Sequence, residues 1–131
     1  MTVQQKPGYL AYQKNKYETA SPHRLILMLY DGALTNLNRA AQALDSNNRA
    51  DAHRFIQKVQ EIVLELMACL NMEHGDEIAK NLREIYFYVV NQLVKANIHK
   101  RKDELLEVQT IVRDLRDTWG QIGKEVGNGG A

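Results

Sequence analysis

Cysteine, proline and net charge are all scarce in this chain of 131 residues. Cys69 is its single cysteine. That excludes an intramolecular disulfide and a zinc site built on several thiolates. Pro7 and Pro22 are the only prolines, so nothing after residue 22 interrupts a long helix. Seventeen basic residues against sixteen acidic ones leave a net charge of +1. No broad electrostatic footprint for nucleic acid or an anionic membrane follows from that balance. No apolar run approaches the ~20 residues of a spanning helix. The first residues, Met1 to Lys6, lack an apolar core for secretion, and the expected compartment is the cytosol. Phosphate-binding glycine loops and the haem-attachment motif are absent. No glutamate is followed three residues later by histidine, as a di-iron bundle requires. His23, His53, His74 and His99 fall near helix ends or loops and share no metal spacing. No cofactor is expected.

What is present is helical periodicity. Ser21 and Pro22 read as N-cap and first residue of a helix running to about Leu44. Ile26, Leu29, Ala33, Leu37, Ala40 and Leu44 alternate spacings of three and four, and Leu27, Tyr30, Leu34 and Ala41 make a second stripe beside them. After a turn at 45–48, Phe55, Ile56, Val59, Ile62, Val63, Leu66 and Leu70 mark a second helix from about Ala50 to Leu70. Ile78, Leu82, Ile85, Val89 and Leu93 mark a third, from about Glu77 to Ala96. Leu105, Val108, Val112, Leu115, Trp119, Ile122 and Val126 mark a fourth. Period-two alternation is missing. The expected fold is all-α: an antiparallel up-down-up-down four-helix bundle over residues 21–126. An N-terminal arm (1–20) precedes it and a glycine-rich tail (127–131) follows.

The run Leu25–Tyr30 carries more apolar surface than the ~100° stripe one helix buries. The surplus on Leu27, Tyr30 and Leu34 needs a cover. The arm holds Tyr9, Leu10, Tyr12 and Tyr17, and Tyr9 and Tyr12 share one side of a helical turn. Docking one such ring is worth roughly 2 kcal/mol, enough for a reversible self-cap. Gly32 inside the first helix costs about 1 kcal/mol against alanine, which a close helix or ligand approach would offset; a tolerated surface glycine is the equal alternative. Cys69, near a helix end among apolar residues, reads as a packed small side chain. The segment around His53 and Lys58 faintly resembles a histidine phosphotransfer bundle, the alternative reading. Val59 stands where that pattern has glycine, and Lys58 does not share the face of His53.

Together, Tyr9-Leu-Ala-Tyr12, Thr19-Ala-Ser-Pro22, Leu27-Met-Leu-Tyr-Asp-Gly-Ala33, Ala40-Ala-Gln-Ala-Leu44, Gln60-Glu-Ile-Val-Leu-Glu-Leu66, Leu93-Val-Lys-Ala-Asn97 and Leu115-Arg-Asp-Thr-Trp119 resemble the flagellin-specific export chaperones of bacterial flagella, the FliS-type family. The resemblance spans residues 9–120. One departure stands out: Tyr86-Phe87-Tyr88 occupies a place where that family often has Tyr-Asp-Tyr. The resemblance implies a non-enzymatic cytosolic chaperone. Such a protein binds the disordered C-terminal segment of flagellin, prevents premature polymerisation and aids delivery to the export gate at the membrane. Other flagellar assembly regulators are further partners it would allow, with the chaperone a monomer or weak homodimer. On this reading Tyr9, Leu10 and Tyr12 form the displaceable cap. Leu27, Tyr30 and Leu34, with Tyr86, Val90, Val94 and Asn97 on the third helix, form the client surface.

Overall fold

Ser21 and Pro22 start the first helix, α1 (Pro22–Asp45). The Ser21 hydroxyl oxygen accepts the Arg24 amide at 3.1 Å, which satisfies one of the free donors of the first turn. At the other end Asn47 takes a left-handed conformation, φ 57°, which asparagine tolerates. The Asn48 side-chain oxygen then accepts the Asp51 amide at 3.0 Å and opens α2 (Arg49–Glu73). The remaining helices are α3 (Asp76–His99) and α4 (Asp103–Gly130). The computed structural model describes the backbone of residues 21–73 and 76–130, and the side chains of residues 21–70 and 77–122.

These helices are 24 to 28 residues long, about 36 Å or more at 1.5 Å per residue. They outrun the apolar pattern. α3 continues through Asn97, Ile98 and His99 because its last carbonyls are met by the turn at Lys100, whose amide donates to Ala96 O at 2.8 Å. α4 runs through Gly130, past Val126 where the apolar spacing of the sequence ends. Among the described residues there is no strand, and no helix is long and apolar enough to cross a membrane.

Each helix packs chiefly on the two beside it, in the cyclic order α1, α2, α3, α4. Pairs across the seams are antiparallel. Gly32 faces Ile62 and Arg39 lies over Phe55 between α1 and α2. Asp31 meets Arg116, and Leu27 lies near Gly120, between α1 and α4. Tyr30, Leu37, Ile56, Leu93 and Leu105 are the largest fully buried side chains. They come from all four helices, so the core is continuous and α1 and α3 stand diagonally across it.

Candidate functional site

Two of the proposed surface residues lie in the core. Tyr30 and Tyr86 are 2 % and 3 % exposed, and their hydroxyls hydrogen-bond each other at 2.7 Å across the α1/α3 diagonal. This corrects their placement on the client surface. Each ring completes an apolar stripe, and the only polar atom on each finds its partner inside. Burial is the main reason both phenols are held above the ordinary tyrosine pKa; for Tyr86 the neighbouring Tyr30 adds to it. Beside them, Ile26, Leu66, Cys69, Leu70, Leu82 and Trp119 help enclose a cavity of about 10 Å³. That is room for roughly one water, not for a ligand.

The other expected residues do not share one groove. Leu27 is half-buried on the α4 side of α1, where a side chain on Gly120 would meet it at 3.9 Å. Leu34, two turns on, lies half-buried against the core. The α1/α4 seam is fastened at one end by Arg116, whose guanidinium donates to Asp31 at 2.8 Å. Trp119 also stacks on His23 with ring centres 5.2 Å apart and donates its indole N–H to His23 O at 3.0 Å. Val90, Val94 and Asn97 belong to the opposite seam, since the Asn97 amide reaches His53 on α2. Val90 and Asn97 are half-buried and Val94 is exposed. Tyr9, Leu10 and Tyr12 lie outside the described residues.

Along the α2/α3 seam Val94 is joined by Leu64, Phe87 and Ile98, which were not among the expected surface residues. Leu64 and Phe87 are each 57 % exposed, Val94 41 % and Ile98 69 %. With His53 level with Asn97, stepping along antiparallel helices brings Gln60 level with Val90 and Leu64 level with Phe87. The result is an apolar row on one face of the bundle. The available signal was apolar residues standing off the core stripe: Leu64 between Val63 and Glu65, Phe87 between two tyrosines. The α3/α4 seam is more polar. Tyr88 donates to Glu107 at 2.5 Å and Gln92 donates to its other oxygen at 2.6 Å. This clamp pushes the Tyr88 phenol pKa up, chiefly through its bond to the carboxylate. Asn81, Glu84, Ile85 and Ile111 line an open groove beside it.

Comparison with known proteins decides what kind of bundle this is. The model of the family described as flagellar protein FliS matches residues 5–126. The chain belongs to the FliS family. Its relatives include the flagellar secretion chaperone FliS of Vibrio cholerae, 36% identical over 123 residues that make up 90% of each chain. FliS of Bacillus subtilis is 38% identical over 113 residues, covering 86% of this chain and 84% of its own. FliS of Salmonella typhimurium is 35% identical over 120 residues, covering 88% and 89%. The FliS assignment makes this a bundle of flagellar biogenesis, and the phosphotransfer alternative is not favoured. Its geometry gains nothing either: His53 Nδ1 is tied to Asn97, and the Lys58 ammonium lies 5.9 Å over the Phe55 ring. Among the described residues no cluster of histidine, cysteine and carboxylates could hold a metal ion.

Proposed function

We propose that this chain is a non-enzymatic cytosolic chaperone that binds the C-terminal segment of flagellin, keeps it from polymerising and helps present it to the export gate. The observation that carries the reading is the exposed apolar row Leu64, Phe87, Val94 and Ile98 on a bundle of the FliS family. A rigid bundle with such a row offers anchors to an amphipathic segment.

Magnitudes favour a client that wraps. Each anchor buried in the complex contributes about 1.5–3 kcal/mol. Ordering a disordered client costs about 1–2 kcal/mol per residue. A few anchors on one seam therefore do not hold a long segment. Leu27 and Leu34 flank the opposite seam, and a segment engaging both faces gains these two as further anchors. Tyr9, Leu10 and Tyr12 act as the self-cap that keeps the empty surface from associating. No nucleotide drives release; exchange onto the export gate does.

The test is seeded polymerisation of flagellin with the chain added in equal amount. Filament growth should stall. Growth at the unchanged rate would remove the reading.

A further inference from the structure

The apolar row on the α2/α3 face ends in positive charge. α2 begins at Arg49 and α3 stops at His99, so the row passes Ile98 and runs out beside Arg49, His53 and Lys100. Lys100 closes α3 in a left-handed conformation, φ 55°. Its ammonium donates to both the backbone and the side-chain oxygen of Asn97, each at 2.5 Å. An ammonium only donates, so the Asn97 amide is oriented with its oxygen toward Lys100. Its nitrogen then donates to His53 Nδ1 at 2.9 Å, which leaves the ring proton on Nε2. Two of the three ammonium donors are thereby used and one remains.

The carboxylates at this end already have partners. Asp51 accepts from Asn48 and Arg54, Asp45 pairs with Lys102, and Glu104 faces Arg101 and His99. Among the described residues neither Arg49 nor Lys100 forms an ion pair. Arg49 opens α2 at the end of the bundle where Lys100 closes α3, and burial, with Arg49 after it, pushes the Lys100 pKa down. Arg49 is exposed and Lys100 half-buried, and two cations at one end of the bundle with no counter-ion favour an anion that arrives with a partner.

We propose that Arg49 and Lys100 receive the chain-terminal carboxylate of the segment that docks along Leu64, Phe87, Val94 and Ile98. The proposal rests on the client reading above. A chain end fits because the bundle surface ends there: a docked segment has no apolar row left beyond Ile98. Phe87 to Ile98 spans about 16 Å, or about three turns of a docked helix. Running parallel to α3, that helix would bring its carbonyl end and its carboxylate together onto the two cations.

The test uses the full chain and a labelled peptide of the flagellin C-terminal segment, made as the free acid and as the C-terminal amide. Binding of both is measured to the wild-type chain, to an Arg49→Gln/Lys100→Gln variant and to Phe87→Ser. Amidation should weaken binding to the wild-type chain about tenfold, as loss of a charge-assisted contact does. The double variant should bind acid and amide alike. Equal binding of acid and amide by the wild-type chain, with Phe87→Ser weakening both, would overturn the carboxylate site and leave the docking face standing. A double variant that weakens both peptides equally would assign the cations to an internal acidic side chain and also overturn it. Full affinity of Phe87→Ser for both peptides would instead remove the docking face.

Discussion

Tyr86→Phe is the sharpest probe of the core. It removes one hydroxyl of a buried pair 2.7 Å apart and strands the other, the Tyr30 hydroxyl, on a ring 2 % exposed. A stranded buried hydroxyl costs about 1–3 kcal/mol. The adjoining cavity of about 10 Å³ has room for roughly one water that could take up the lost bond, which sets the expected cost at about 1–2 kcal/mol. Tyr30→Phe should cost about the same. The double variant removes both polar groups together and should lie within about 1 kcal/mol of wild type, because replacing both partners with apolar groups is nearly neutral. Urea unfolding followed by helical circular dichroism measures all four chains. Single-variant losses that simply add, with a coupling below about 0.5 kcal/mol, would refute the paired arrangement. Alkaline titration reads the same pair. Both phenols have folded pKa values above the ordinary 10.0. Above pH 10.0 the unfolded chain therefore binds fewer protons than the folded one. Stability is whole below that pH and declines as pH rises beyond it. The double phenylalanine variant should lose much of this decline.

Gly32→Ala should raise stability by about 0.5–1 kcal/mol, since its Cβ would sit 3.5 Å from Ile62 Cδ1, an ordinary contact; a loss in urea unfolding would show that the helices cannot accept the methyl. Deleting residues 1–17 should leave the helical signal intact and increase binding of an apolar dye, as expected of a removed cap. Collapse of the helical signal would make those residues part of the folding unit instead.

The start of α1 was legible because Ser21 and Pro22 act within one turn of chain, and most of the four core stripes because burial imposes a period of 3.6; Ile78 and Ile122, toward the ends of their stripes, are exposed instead. The end of α3 was not, since Asn97, Ile98 and His99 add nothing to the core. Tyr30 shows the limit more plainly. It stands next to both the core stripe and the outer stripe, and its assignment depends on a hydroxyl 56 positions away. Leu27 and Val94 each sit off a core stripe, yet nothing in one helix's pattern says that their seams lie on opposite sides of the bundle. Gly32 fitted a close approach and a tolerated glycine equally well in sequence, and the structure leaves ordinary contact room for a methyl group.

The client proposed for this bundle is the C-terminal segment of flagellin. Calorimetric titration of the chain with flagellin, and with flagellin lacking that segment, tests it most directly. Tight binding with a negative heat-capacity change is predicted for the full client, and none for the truncated one. Equal binding of both forms would show that this segment is not the client.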